Sequence, residues 1–385
     1  MLETQFLIPR DQNSDIIVIG GGLAGLFNAL LLNKAGFSVT LIEKKSYPFH
    51  RVCGEYISNE VLPLLKSLDI NVLDLGASQI NKVQITSVSG NSFSRNLTLG
   101  GFGLSRYTFD DFLYKKAKSE GVNFLLNTKV EDVIFEENEF KVVTNSSTLI
   151  SKLVIGSFGK RSNLDQKLNR AFFAKRSPYV GVKYHLKADF PSDLVQLNNF
   201  RNGYCGVVAV EDGVFNVCYL VHRDELKKQH AVPNLEKESL CKNPFLATLF
   251  EHADFLWSKP EVINEISFEK KQPVENHVFM SGDTAGMITP LCGNGMSMAI
   301  HSAKILSESI KKLYNPHNFT KADRQLLEAE YTNKWNSLFG KRLFVGRQLQ
   351  RLFGNNSTTN LAINTLKAMP LVADYLINKT HGKPF

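Results

Sequence analysis

Apolar positions along this chain follow two rhythms. Asp15 to Gly20 (DIIVIG) is an unbroken apolar run, the pattern of a parallel strand buried on both faces. It runs through a cluster of glycines into LFNALLLNKAG, which has helical spacing, and a second apolar run, FSVTLIE, follows. Between Gln79 and Leu99 the pattern changes to short alternations (VQITSVSG, NSFSRNLTLG), expected of a second sheet. Tyr107 to Gly121 reads as an amphipathic helix that returns to the first unit, with strands after it up to Gly159. From Tyr179 the chain becomes long β (VGVKYHLKADF, then YCGVVAVEDGVFNVCYLVH), and Glu211-Asp212-Gly213 supplies a hairpin turn signal. Pro260 to Phe268 and the apolar stretch after His277 read as further strands, and MSMAIHSAKIL reads as a helix. Residues 320 to 380 look helical and basic. Lys341, Arg342, Arg347, Arg351 and Lys367 lie there among Phe339, Leu343, Phe344, Leu349, Leu352 and Phe353. Such a stretch suits either a membrane surface or a helical cap packed on the body.

The glycines between the first strand and helix carry the first chemical signal. Gly20, Gly22 and Gly25 occupy the three glycine positions of GxGxxG, with Leu23 and Ala24 between them. Gly20 permits the tight turn, Gly22 lets a pyrophosphate approach the backbone, and Gly25 allows helix and strand to pack closely. The N–H groups and dipole of the new helix face the phosphates. The second strand ends in Glu43, followed by Lys44; a carboxylate there accepts both ribose hydroxyls and repels a 2′-phosphate. Strand, loop, helix, strand and terminal acid at this spacing make a dinucleotide site. The loop by itself does not distinguish FAD from NAD.

Composition narrows the rest. At 385 residues, 43% hydrophobic and 21% charged, the chain has room for two interlocked domains and the makeup of a globular protein. No stretch approaches the ~18 apolar residues that a membrane span needs. Residues 1 to 14 are mixed and polar, so the expected location is the cytoplasm, with contact at the inner face of a membrane as the alternative. The five cysteines form no CxxC pair and the nine histidines no HxxxH, which argues for a reducing compartment and against a metal site. A net charge of +8 suits anionic lipids or phosphorylated ligands; the basic residues are scattered, so no nucleic-acid partner is expected. Nothing in the sequence sets the oligomeric state.

Downstream, Gly282-Asp283 stands at the carboxyl end of a strand, and Gly293-Asn294-Gly295-Met296 opens the helix after it. Here the chain resembles the glutathione-reductase-type flavoproteins, which share a GD element of this kind. The resemblance implies FAD as cofactor, with Asp283 on its ribityl chain, Pro290 fixing the approach of the loop, and the helix start at Gly293 to Met296 facing the N1/O2 edge of the flavin. That edge becomes negative on reduction, which a positive helix terminus stabilises.

Within that superfamily the chain is similar to the geranylgeranyl-reductase-like proteins and to their relatives, the single-component aromatic hydroxylases. Besides the GD element, three pieces carry this likeness. Phe49 to Ser58 (FHRVCGEYIS) looks like the CG element of the prenyl reductases, Arg106 to Leu113 resembles their R…D..L helix start, and Thr128-Lys129-Val130 resembles the strand whose backbone meets adenine. Arg51 is then a candidate partner of the pyrophosphate, and Cys53 a candidate for redox or proton transfer beside the flavin. Two departures are visible. Phe158 stands where the hydroxylases carry the aspartate of their DG motif, and Gly206 stands where the prenyl reductases carry a tryptophan, although Tyr204 is retained. The tryptophan motif of the flavin-dependent halogenases is absent; the tryptophans are Trp257 and Trp335.

The expected fold is α/β with an α+β second domain. A Rossmann-like FAD-binding domain with a parallel sheet takes residues 1–75, 100–175 and 278–315. An antiparallel β substrate domain takes 76–99 and 176–277, and a helical C-terminal region takes 316–385. The expected activity is FAD-dependent reduction of a carbon–carbon double bond in a lipophilic substrate, isoprenoid or polyketide-like, with Tyr204 lining the cavity. Hydroxylation of a phenolic or quinone-like lipid is the rival, and a non-catalytic electron carrier at a membrane is a third reading. There is no second GxGxxG within a strand–helix unit, so NAD(P)H as a reductant would dock transiently.

Overall fold

A computed structural model describes residues 14–289, 293–350, 354–369, 371, 373 and 382–385. The first apolar run forms β1 (Ile16–Ile19), followed by α1 (Leu23–Lys34), β2 (Val39–Ile42), β3 (Tyr56–Ser58) and α2 (Leu62–Ser67). The alternating region supplies two long strands, β4 (Ser78–Thr86) and β5 (Ser92–Gly103). Then come α3 (Arg106–Ser119), β6 (Asn123–Leu125), β7 (Val130–Glu136), β8 (Glu139–Thr144), β9 (Thr148–Ser151), β10 (Leu153–Gly156) and α4 (Asn163–Lys167). The long β region holds β11 (Tyr179–Lys187), β12 (Leu194–Phe200), β13 (Gly203–Ala209) and β14 (Phe215–His222). Three short helices follow, α5 (Arg223–Gln229), α6 (Val232–Glu238) and α7 (Pro244–His252). Four short strands come next: β15 (Asp254–Phe255), β16 (Glu261–Ile266), β17 (Val274–Glu275) and β18 (Val278–Met280). The chain finishes in α8 (Gly295–Leu313), α9 (Lys321–Gln350) and α10 (Asn356–Ala368).

Three sheets organise these elements. The first runs β17-β18-β10-β1-β2-β6 and is parallel from β18 to β6. Its central strands are buried on both faces because α1, α3 and α8 cover it, which is why β1 reads as a continuous apolar run. The second sheet runs β15-β11-β14-β13-β12-β4-β5-β3, with β16 also on β11. It is antiparallel except where β12 lies parallel to β4. The third is a small β7-β8-β9 meander. The mixed α/β architecture follows the sequence reading, with three differences in where strands belong. One of them is β17, which the sequence reading puts in the substrate domain and which pairs with β18 in the first sheet. β3 and the last residues of β5 join the second sheet through the pairs Tyr56–Gly103 and Ile57–Phe102, although the sequence reading puts residues 56–58 and 100–103 with the cofactor domain. Pairing across a sheet edge leaves no trace in the periodicity of a three-residue strand.

α9 is a cap on the body: Tyr331, Trp335 and Phe339 are buried in the main core, while Phe344 is 57% exposed. Among the described residues no helix is long and apolar enough to cross a membrane. Arg351, Leu352 and Phe353 lie outside the described residues.

Candidate functional site

The cradle forms where β1 ends. Gly20 has φ +100°, and a Cβ there would stand 2.5 Å from the Ser157 carbonyl oxygen; one on Gly25 would overlap the Gly20 carbonyl oxygen. Both positions therefore exclude any side chain. Gly22 differs. Its backbone is extended, it caps α1 with no side chain on the exposed N–H groups, and a Cβ would lie 3.4 Å from Nη2 of Arg106. The first turn of α1 (Leu23, Ala24) is buried, holds no acid and takes no side-chain cap, an arrangement that suits an anion at its N–H groups.

Two arginines flank this turn. Arg106, the first residue of α3, donates through Nε and Nη2 to Asp110, both at 2.7 Å. Burial works against its charge, but Asp110 and the neighbouring Cys53 thiol hold it firmly protonated. Arg51 donates through Nε to Asp110 at 3.0 Å, and through Nη2 to the Gly21 carbonyl at 3.1 Å and Glu43 at 3.3 Å. The buried Glu43 carboxylate also accepts from Gly21 N at 2.8 Å and Lys45 N at 3.1 Å. A carboxylate offers about four lone-pair sites. Three donors leave room for about one ribose hydroxyl, fewer than the pair expected from the strand-end position alone. Lys44 is exposed.

The second element meets the first directly. Gly282 (φ +68°) donates its N–H to Ser302 Oγ at 2.9 Å, and a Cβ on it would come 2.8 Å from the Cβ of Ala24. The GD turn thus rests on the first turn of α1. Asp283 is half-buried, and its carboxylate takes no hydrogen bond from any described residue. Its carbonyl is held by Lys271 Nζ at 2.9 Å. Burial lowers the pKa of Lys271 to about 8. Gly293 (φ +62°) sits against Tyr56, and Asn294 caps α8 through its backbone, so Gly295 and the buried Met296 open a helix with no acid in its first turn. Pro290 lies outside the described residues. Two helix starts without side-chain caps, a half-buried carboxylate that accepts no hydrogen bond from the described residues, and a glycine cradle under paired arginines fit FAD. Gly22, Arg51 and Arg106 would take the pyrophosphate, Asp283 the ribityl hydroxyls and the start of α8 the flavin.

Not every expected site residue joins this set. Val130 opens β7, where it pairs with Thr144, and its carbonyl accepts from Asn163 Nδ2 at 3.2 Å. Cys53 and Tyr204 occupy different places. Cys53 packs half-buried on the main core beside Arg106, at the pyrophosphate end of the site. Tyr204, 3% exposed on β13, belongs to an apolar cluster with Leu220, Ile266 and Met287. Asp110, the acid of the R…D..L helix start, joins the two arginines, a bond to Arg51 that spacing did not predict, and a buried group around Glu55 was not singled out at all. The Glu55 carboxylate binds Lys183 Nζ at 2.5 Å and His185 Nε2 at 2.7 Å, and His185 stacks on Trp257. The one sequence signal for that group is a pair of polar residues two apart, Lys183 and His185, on one face of an otherwise apolar strand.

Two histidines make the fold sensitive to acid. His50 and His301 are both held at about 4, chiefly by burial, with help from Lys183 and His185 at the first and from Lys304 and Arg342 at the second. A group whose pKa falls on folding resists protonation in the native state, so the stability it allows is intact above 6.5 and drains away as pH falls towards 4. Melting temperatures recorded across that window are expected to decline, and His301→Gln is expected to flatten the decline. A pH-independent melting temperature would contradict the burial of these rings.

A family profile described as FAD binding domain matches residues 13–334. A digeranylgeranylglycerophospholipid reductase of Methanococcus vannielii is 23% identical over 371 residues, 90% of this chain and 89% of that protein. An uncharacterised protein of Methanosarcina barkeri is 25% identical over 329 residues, 82% of this chain and 79% of its own length. Among solved structures, the flavin-dependent brominase Bmp2 superposes with a TM-score of 0.77 at 17% identity, over 96% of this chain and 93% of that one, a likeness of fold. The profile match and the cradle agree: the chain belongs to the FAD-binding-domain family and is an FAD-dependent oxidoreductase.

Proposed function

We infer that this chain reduces a carbon–carbon double bond in a lipophilic substrate. The observation that carries the reading is the apolar cluster of Tyr204, Leu220, Ile266 and Met287, ringed by half-buried Tyr179, Leu197, Ile263 and Phe268. Met287 lies just beyond the turn that carries Asp283, so the apolar cluster of the second sheet reaches the GD turn, our candidate for the flavin side of the site. When bound and reduced, FAD would supply the hydride, and a proton would complete the addition. The protein's own part is to bind the substrate out of water, at about 25 cal/mol per Å² of apolar surface covered, and to place a proton. Tyr204 is the buried hydroxyl in this cluster and our candidate for holding that proton. On the neighbouring strand position, a Cβ at Gly206 would meet nothing closer than 3.7 Å, which leaves space where the prenyl reductases carry a tryptophan. The likeness to a digeranylgeranylglycerophospholipid reductase along nearly the whole chain supports a reductive reaction on an isoprenoid-like substrate.

Oxygen dependence tests this reading. Chemically reduced holoprotein, mixed under strict anaerobiosis with lipid extract from the source cells, is expected to yield a product two hydrogens heavier than its precursor. Tyr204→Phe is expected to slow that turnover about a hundredfold, the lower end of what general acid catalysis contributes, while retaining FAD. An absolute requirement for oxygen would overturn the reductase reading in favour of hydroxylation.

A further inference from the structure

The turn from Arg51 to Glu55 is gripped from outside at successive residues. The Arg51 carbonyl accepts from Lys183 Nζ on β11, the Val52 carbonyl from Lys160 Nζ after β10, and the Cys53 carbonyl from Asn216 Nδ2 on β14, each at 3.2 Å. Glu55, which closes the turn, is fully buried and has φ +56°, a left-handed conformation that an ordinary side chain adopts only under constraint. Its carbonyl accepts from Leu104 N at 3.1 Å. Its carboxylate takes three donors: Lys183 Nζ at 2.5 Å, His185 Nε2 at 2.7 Å and the Arg106 backbone N–H at 2.7 Å. One side chain thus joins the second sheet, the strained turn and the first residue of the helix whose guanidinium flanks Gly22.

Stability alone does not account for this arrangement. Lys183 and Glu55 are both wholly buried, and a buried ion pair often contributes no more to folding than well-packed apolar residues of the same volume. What such a pair does supply is a defined geometry. We propose that Glu55 and Lys183 are positioning residues for FAD, fixing the Arg51–Gly54 turn and the start of α3 so that both arginines stay registered on the pyrophosphate cradle. Burial would raise the carboxyl pKa of Glu55, but Lys183 and His185 bring it down to about 2, so the carboxylate keeps its charge wherever the protein is folded. The inference rests on FAD binding and not on the reductase reading. FAD affinity is measured without substrate, so either can fail alone.

The test separates positioning from packing. Glu55→Gln alone strands a buried ammonium and is expected to lower the melting temperature. The double variant Glu55→Gln with Lys183→Met removes both charges and is expected to restore the apoprotein's melting temperature to the wild-type value or above. Its affinity for FAD, followed by quenching of flavin fluorescence, is nevertheless expected to fall at least tenfold, with a shifted visible flavin spectrum. Wild-type affinity and spectrum in that double variant would overturn the proposal and leave the pair a structural one. Should the double variant not fold, Asn216→Leu decides. It removes the donor to the Cys53 carbonyl without stranding a charge, and is expected to weaken FAD at least threefold. Undiminished FAD affinity in a folded Asn216→Leu protein would overturn the proposal equally.

Discussion

Gly22→Glu is expected to purify folded and colourless. The backbone at Gly22 is extended rather than left-handed, so a side chain introduces no strain there, and a Cβ would meet Arg106 Nη2 at an acceptable 3.4 Å. The new carboxylate would extend towards that guanidinium and towards the free N–H groups of α1, occupying the ground that a pyrophosphate needs. Folding is expected to survive because the intruding charge finds a partner; cofactor binding is not, because two anions compete for one cradle. Gly25→Ala makes the contrast, since its Cβ would overlap the Gly20 carbonyl oxygen and is expected to disturb the fold itself. The ratio of flavin absorbance to protein absorbance, taken with a melting curve, checks both. A yellow Gly22→Glu protein would show that the pyrophosphate lies elsewhere.

Asp283→Ala is expected to lose most of its FAD while keeping its fold. The Asp283 carboxylate is half-buried and accepts no hydrogen bond from the described residues, so removing it costs the fold only its charge attraction to Lys271. Hydrogen bonds to a charged group contribute about 1.5–3 kcal/mol each, or roughly ten- to a hundredfold in affinity for every hydroxyl that Asp283 holds. Titration of apoprotein with FAD would register the change. The Gly282 turn itself is anchored by Ser302 Oγ and Lys271, which the substitution leaves in place. An Asp283→Ala protein with full FAD occupancy would remove the ribityl role from this residue.

Much of this site is legible in the amino-acid sequence alone. β1, α1 and β2 announce themselves through a buried apolar run, three glycines and a terminal acid, because a parallel strand and a close helix start each restrict residue type locally. The GD turn and the start of α8 can be read for the same reason. What the sequence hides is pairing at long range. Glu55 meets Lys183 across 128 positions, and Arg51 meets Asp110 across 59, with no spacing rule to connect them. The donors that surround Glu43 come from Gly21, Lys45 and Arg51, and only their convergence shows how little of that carboxylate remains for ribose. β12 beside β4 is hidden likewise, since a parallel neighbour brought in by a distant crossover leaves the alternation of β4 unchanged. The short helices α5 to α7 follow from capping by His222 and Asn243 and from prolines in two first turns, local cues that a reading by hydrophobic period passes over.

The central claim, that FAD held at this cradle reduces a double bond, is tested most directly by comparing source cells that carry the intact chain with cells that carry Gly22→Glu. Lipid and metabolite extracts of the two would be compared by accurate mass. The account predicts that cells with the variant accumulate a precursor two hydrogens lighter than the compound they no longer make, and that precursor identifies the substrate. A pair that differs by one oxygen atom instead would contradict it and make the chain a hydroxylase.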